Sequence, residues 1–345
     1  MKKIPENLIN DKLSQYLLEK GLNRVSQGKV RNTWFLNPKC LLMVATNRIS
    51  AFDFVFNALI PKKGEVLTAM THFWATKVLS DFNHHLIPAM SRPEFNAAYD
   101  LKGISLSQLP IERCLVVDNM GAKLYPFEMI YRHHIGGSVF KDYQKTGMAA
   151  GHRLTPGLPK WSKLLHPIFT PSTKEEVDHD VNVNADYFFS EMNKKRLGAE
   201  PLEVVDMLAS AYNKAYGYAQ ERGILILDTK FEVAGKKIVD EILTPDSSRF
   251  AVSEDWGKAM AEGRDPHFYD KQLVRDYVAK IETPFNVVGV NKLDPKNPDH
   301  VDFVHGLKIP DEIIGETTKR YLQIFERLTG TSLREYQKKE MGVNL

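Results

Sequence analysis

Cysteine is almost missing from this 345-residue chain, which carries two, Cys40 and Cys114. They stand far apart in apolar surroundings and at no metal-ligand spacing, which argues against a disulfide framework and reads as two core thiols. No run approaches the ~18 consecutive apolar residues of a membrane span. The opening stretch, Met1-Lys2-Lys3-Ile4-Pro5-Glu6-Asn7, lacks the apolar core of a signal peptide, so a cytoplasmic protein without a membrane partner is expected. An excess of one charge is missing too. Lys and Arg number 46 against 43 Asp and Glu, a formal +3, which is too balanced for a general duplex binder, and no nucleic-acid partner is expected. Repeats and low-complexity segments are absent.

What remains is an ordinary globular composition, 43% hydrophobic and 26% charged, in a chain long enough for two or three subdomains. A short helical pattern over Asp11 to Lys20 precedes strand-like runs at Gly28 to Leu36 and Leu41 to Thr46, parted by the Asn37-Pro38 turn signal. Leu67, Met70, Phe73, Trp74 and Val78 predict a helix within Gly64 to Leu79. Cys114 to Val117 reads as a strand ending at the Asn119-Met120-Gly121 break. A second block opens near Tyr125. Gly151 to Pro171, rich in Pro and Gly, predicts a long surface loop. Leu202 to Arg222 is the clearest helix, stopped by Gly223 before the apolar run Ile224 to Leu227, a buried strand. From Asp270 helices alternate with Pro-rich turns, ending in a helix over Asp311 to Leu328 and a short one after Gly330. Mixed elements in uneven order predict an α+β or irregular α/β fold, not a barrel of repeated units. The expected divisions are a β-rich lobe over 1–120, an α+β lobe over 121–260 and a helical region over 261–345.

The strongest chemical pattern lies between Gly223 and Pro245. Alternation along a strand puts Asp228, Lys230 and Glu232 on one face. With Gly235-Lys236-Lys237 as a three-residue hairpin loop, Glu232 falls opposite Asp240. Two facing carboxylates repel unless a cation sits between them, and magnesium takes a few carboxylate oxygens, with water and phosphate completing its shell. A solvated charged strand face is the bland alternative.

Other segments are weaker singly. Ser26 to Arg31 is a Gly-led turn whose Lys29 and Arg31 can meet phosphate oxygens, although it lacks P-loop spacing. Thr46 to Asp53 crowds polar groups, Ser50 and Asp53 among them, at a strand end, either as a ligand loop or as a capped turn. Glu128 and Arg132 flank apolar residues, and Arg132-His133-His134-Ile135-Gly136-Gly137-Ser138 ends in a donor-rich loop. The paired histidines have no third ligand at a zinc spacing, so Arg132 and Ser138 as anion donors is the better reading. Phe169 to Lys174 and Pro245 to Arg249 join hydroxyls to one cation and suit either phosphate or helix caps. Asp270 to Tyr277 looks like a helix start.

In this order, Gly28 to Arg31, Thr46 to Asp53, Lys63 to Leu67, Arg132 to Ser138, Ile168 to Lys174, Asp228 to Glu232, Asp240 to Arg249 and Asp270 to Arg275 resemble the SAICAR synthetase family in its longer form. The resemblance spans about residues 20 to 280. It implies a SAICAR synthase-like fold, a β-rich N-terminal lobe and a larger ATP-binding lobe with C-terminal helices. It also implies an ATP- and magnesium-dependent ligation of L-aspartate to an imidazole ribonucleotide carboxylate. By the same resemblance Lys29, Arg31 and Glu128 serve ATP, and Glu232 and Asp240 hold magnesium. Asp228, Lys230 and Asp53 line the catalytic cleft, while Arg132, Ser138, Arg249 and Ser50 meet the imidazole nucleotide. The family usually has Asp at the positions of Asn32 and Asn47, Gly-Tyr at His133-His134 and Trp at Phe140. It usually has Glu-Asn after His179-Asp180, where this chain has Val181-Asn182. A diverged ligase or kinase for another acid, and an inactive nucleotide-binding relative, are the alternatives. Oligomeric state is not legible.

Overall fold

A computed structural model of the chain describes residues 4–5, 12–87, 109–119, 121, 123–174, 181–195 and 200–343. Asp11, Met120, His179 and Asp180, named above, lie outside the described residues. The fold is α+β, and its paired strands run antiparallel. The chain divides into two compact units: Met1–His72 with Leu86–Asn119 and Asp270–Leu345, and Phe73–His85 with Met120–Tyr269.

The first unit holds β1 (Arg24–Gln27), β2 (Arg31–Asn37), β3 (Cys40–Ala45), β4 (Arg48–Ala51), β5 (Phe54–Leu59) and β6 (Cys114–Asp118). One sheet runs β1-β2-β3-β6, and β4 pairs with β5 separately. Along β2, Asn32, Trp34 and Leu36 are buried while their neighbours are half-buried, the period of two that a one-sided sheet needs. Trp34 and Leu36 pack with Leu42, Val44 and Val116, closed by Leu17 and Leu22 from the N-terminal helix Lys12–Glu19 and its exit. Within Thr46 to Asp53, read either as a ligand loop or as a capped turn, Ser50 to Asp53 lie in a tight hairpin. Ala51 faces Phe54, and the two turn residues Phe52 and Asp53 take φ of 50° and 68°.

A second core in this unit joins Ile49, Phe54 and Phe56 to Val274 and Val278 of helix Gln272–Val278 and to Val301 and Val304 of helix Pro298–Gly306. Asp270 starts the first of these, its Oδ1 accepting from the Gln272 N–H at 2.7 Å. The last helix, Leu333–Glu340, meets helix Lys63–Phe73. Gln337 Nε2 donates to Glu65 Oε2 at 3.2 Å, and His72 Nδ1 lies 2.9 Å from the Tyr336 hydroxyl. No helix among the described residues is long and apolar enough to cross a membrane.

The second unit begins where the α-helical turns of Lys63–Phe73 give way to a π-helical turn, Trp74–Val78, within the predicted helix. Its strands are β7 (Phe127–His134), β8 (Met148–Ala149), β9 (His152–Arg153), β10 (Lys163–Phe169), β11 (Ser172–Thr173), β12 (Ile224–Ala234), β13 (Lys237–Val239) and β14 (Ser248–Val252). The main sheet runs β10-β7-β12-β13, with β11 added to β7 and β14 to β12.

Two expectations change here. The stretch 151–171 is not all loop, because β10 pairs with β7. Pro167 hid that strand: it lies where the register shifts between Lys163 and Ile168 on an edge strand, the one setting that tolerates a residue without an N–H. The hairpin after β12 also turns in two residues, not three, since Ala234 faces Lys237 and Gly235 takes a φ of 58°.

Candidate active site

Helix Pro201–Gln220 fixes the sheet that carries the charged residues. The helix expected over Leu202 to Arg222 begins one residue earlier, with Pro in its first turn, and the chain turns at Gly223 (φ 68°) into β12. The Tyr212 hydroxyl donates to the Ile226 carbonyl at 2.8 Å, and Tyr131 on β7 donates to the Val205 carbonyl at 2.7 Å. Ile224 to Leu227 are buried on both faces of the strand, so a one-residue slip would draw the charge of Asp228 into an apolar position. The polar residues that follow therefore arrive at fixed positions.

First comes Asp228, with Arg132 opposite on β7 and Arg249 opposite on β14. Both guanidinium groups donate through Nη1 to the same Asp228 Oδ2, Arg249 at 2.5 Å. Arg132 Nε donates in addition to Thr170 Oγ1 at 2.8 Å. Arg132 is 3% exposed and Asp228 5%. Burial pulls the Arg132 pKa down and the Asp228 carboxylate pulls it back. Two cations on one anion leave a net positive charge. A Cβ at Gly137 would lie 3.2 Å from Arg249 Nη1 and 3.4 Å from Arg132 Nη1, so both cations converge on this glycine, whose φ is 64°. Helix Ser138–Thr146 starts at the next residue and turns its N-terminal end, where backbone N–H groups lack intrahelical acceptors, to this corner. Ser138 Oγ donates to Asn182 Oδ1 at 3.0 Å. A phosphate or carboxylate is what such a corner can hold.

Two residues along β12 the polarity reverses. Lys230 Nζ lies 2.7 Å from Glu128 Oε1 and 3.5 Å from Glu232 Oε1, and Glu232 is also paired with Lys174. Burial opposes the Lys230 charge, but Glu128, Glu232 and Asp240 outweigh it and hold the ammonium well above its ordinary pKa. The predicted pairing of Glu232 with Asp240 is corrected by the shorter turn: Glu232 faces Val239. Asp240 stands just past β13 with a φ of 61°, its carbonyl 3.1 Å from His85 Nε2, and still contributes to the field at Lys230. Among the described residues no three His, Cys, Asp or Glu side chains gather into a metal cage. Glu232 and Asp240 do not face each other across the hairpin, but both act on Lys230, and carboxylates are the protein ligands that magnesium takes beside water and phosphate oxygens.

The first unit presents the other cationic element. The Gly28 N–H donates to the Arg31 carbonyl at 2.7 Å, and a Cβ at residue 28 would sit 3.0 Å from that oxygen, so glycine is needed for the close approach. Lys29 Nζ pairs with Asp53 Oδ1 at 2.6 Å across 24 residues, and Arg31 is half-buried at the start of β2. Ser50 is buried on β4 facing Val55. The organiser of this loop is Arg48, which the sequence reading passed over. It is 2% exposed and donates to the Lys29 carbonyl at 3.0 Å, the Gly28 carbonyl at 2.9 Å and Asn32 Oδ1 at 2.8 Å. Arg48 is the single cation of the β4–β5 hairpin, and that was the available signal.

The unusual positions have defined places. Asn32 accepts from Arg48, and Asn47 Oδ1 accepts from the Gly64 N–H at 2.9 Å, at the start of helix Lys63–Phe73. In each the amide oxygen fills an acceptor position open equally to a carboxylate. His133 stacks on Tyr216 with ring centroids 3.8 Å apart, and His134 meets Trp256 edge-on at 5.3 Å. Burial drives both histidines neutral, His133 to about 4 and His134 to about 3. They serve packing, not charge. Phe140 packs beside the core of Ile135, Val139 and Tyr143.

Known proteins give the same picture. The sequence profile of the SAICAR synthetase family matches residues 24–290. The phosphoribosylaminoimidazole-succinocarboxamide synthase of Thermodesulfovibrio yellowstonii is 39% identical over 90% of this chain and 96% of its own. That of Saccharomyces cerevisiae is 36% identical over 89% of this chain and 94% of its own. The solved structure of the S. cerevisiae SAICAR synthase complexed with SAICAR superposes with a TM-score of 0.68 at 31% identity, covering 96% of this chain and 99% of that one. The chain belongs to the SAICAR synthetase family.

Proposed function

We propose that this chain is an ATP-dependent carbon–nitrogen ligase of the cytoplasm. It joins the amine of L-aspartate to the carboxylate of 5-amino-1-(5-phospho-D-ribosyl)imidazole-4-carboxylate, giving SAICAR, ADP and phosphate in purine biosynthesis. The observation that carries the reading is the convergence of Arg132 and Arg249 on Gly137 at the head of a helix, a corner suited to the ribonucleotide's phosphate.

The remaining residues divide the work. Arg132, Arg249 and Ser138 bind the 5-phosphate, and Asp228 holds the two guanidinium groups at their spacing. Ser50 and Asp53 contribute to the imidazole substrate and the catalytic cleft. Lys29 and Arg31, on the loop set by Arg48, bind ATP phosphate oxygens. Glu128 serves the nucleotide by keeping Lys230 charged. Glu232 and Asp240 would hold magnesium, which when bound would neutralise charge on the transferring phosphoryl group. The imidazole carboxylate attacks the γ-phosphorus and ADP leaves, and Lys230 steadies the developing negative charge. The aspartate amine then attacks the carbonyl carbon of the acyl phosphate and inorganic phosphate departs with the C–O bond electrons. The amine proton is lost to solvent. No protein nucleophile is needed.

The test is ADP release by the purified protein with each substrate omitted in turn. Release that requires both the imidazole nucleotide and L-aspartate, with SAICAR formed in equal amount, supports the reading. Release with other acids points to a diverged ligase or kinase. ATP binding without turnover points to an inactive relative.

A further inference from the structure

One aromatic beside the anion corner is held more tightly than packing requires. Trp161 is 3% exposed and has a φ of 68°, a left-handed backbone that a bulky side chain seldom adopts. Its surroundings over-determine that conformation. The Trp161 N–H donates to the Ile135 carbonyl at 2.7 Å, and the Ile135 N–H donates back to Ser162 at 3.0 Å. Trp256 Nε1 donates to the Trp161 carbonyl at 2.9 Å, and Trp161 Nε1 donates to Asp265 Oδ1 at 2.9 Å. Phe268 closes one edge of the indole, ring centroids 5.0 Å apart.

The strained residue presses on two parts of the site. A Cβ at Gly136 would lie 2.0 Å from the indole carbon Cζ3, so the ring lies flush against the backbone that leads into Gly137 and Ser138. On the same indole lies the Arg249 guanidinium, its carbon 5.6 Å from the ring centroid, within the range of a cation–π contact. Asp228 restrains Arg249 from one direction and the indole from another.

We propose that Trp161 is a positioning residue for the phosphate-bearing substrate: it fixes Arg249 and the Gly136–Gly137 turn in the geometry that receives the phosphate. This rests on the reading of Arg132 and Arg249 as the nucleotide's phosphate contacts. The indole touches no reacting atom, so its influence falls on binding of one substrate, not on the chemical step. The ring, not its volume, is the working part, because a guanidinium is drawn to a π face and not to an aliphatic chain.

Steady-state kinetics with the full chain and all three substrates tests this in W161M, W161F, R249A and the W161M/R249A pair, each checked for its thermal transition. W161M should raise KM for the imidazole nucleotide roughly five- to thirtyfold, the range of a desolvated cation–π contact, with KM for ATP and L-aspartate unchanged. W161F keeps a ring face and should stay within about threefold of wild type. The double variant should bind the nucleotide no worse than R249A alone. D265A, at a half-exposed side chain, frees the indole N–H without emptying the core and should raise the same KM about two- to fivefold. If W161M does not fold, D265A decides, and an unchanged nucleotide KM there overturns the proposal. An unchanged KM in W161M beside an impaired R249A overturns it too, as do equal losses for all three substrates or W161M and R249A effects that multiply. A normal nucleotide KM in R249A removes the phosphate reading itself, and the proposal with it.

Discussion

The arginines of the two units are placed by different means. In the second unit Arg132 and Arg249 owe their positions to strand register: one pairs with Asp228 from β7, the other from β14, and the apolar start of β12 locks both. In the first unit Arg48 acts the other way, as a buried cation whose hydrogen bonds shape the Gly28–Lys29 backbone 19 and 20 residues earlier. The described hydrogen bonds differ as well: Asp228 accepts from two guanidinium groups, whereas Arg48 donates to two carbonyls and the Asn32 amide oxygen. A register-built site is stiff and specific. A carbonyl-built loop gains its order from one residue and is correspondingly sensitive to it.

The largest effect should come from Asp228→Ala. It strips the shared carboxylate from two cations, one of them almost fully buried, and should cost about 3–5 kcal/mol of stability in denaturant unfolding, with turnover lost alongside. A stable variant would mean that water or another anion already screens the pair. Arg48→Leu should follow, with about 2–4 kcal/mol lost from unsatisfied acceptors and KM for ATP raised at least about tenfold. The imidazole-nucleotide KM should not move, and if it does, the two regions are not independent.

Smaller effects probe the packing of the histidines. A histidine whose folded pKa is depressed favours the native state above its unfolded value of about 6.5, and that contribution is lost as pH falls through the window toward the folded value. For His134, held near 3, lowering pH from 7 to 5 should cost about 2 kcal/mol of stability that His134→Phe does not lose. Matching pH slopes in the two proteins would contradict the buried, neutral assignment. Asn47→Asp should be the mildest change, within about 1 kcal/mol, because Asn and Asp accept equally well from a helix N-terminal N–H. A large shift in substrate KM in that variant would place Asn47 among the substrate contacts.

These contrasts also explain what could be read in advance. The alternation of Asp228, Lys230 and Glu232, the helix before them and the Gly223 turn follow from periodicity and local φ, so they were legible. The register of the next hairpin was not, because a two-residue and a three-residue turn around Gly235 differ by one residue and both satisfy the pattern. Strand β10 was hidden by Pro167, and the role of Arg48 by its distance in sequence from the loop it shapes. Trp161 carries its meaning in a backbone angle and in Gly136 beside it, neither of which composition expresses.

The proposed roles divide along β12, with the anion-binding arginines held at Asp228 and a metal held at Glu232. Turnover of Glu232→Gln measured against magnesium and imidazole-nucleotide concentration addresses that division directly. A fall of at least about a hundredfold in kcat with a higher magnesium requirement, at an unchanged nucleotide KM and thermal transition, is the predicted result. A normal magnesium curve with a raised nucleotide KM would contradict it.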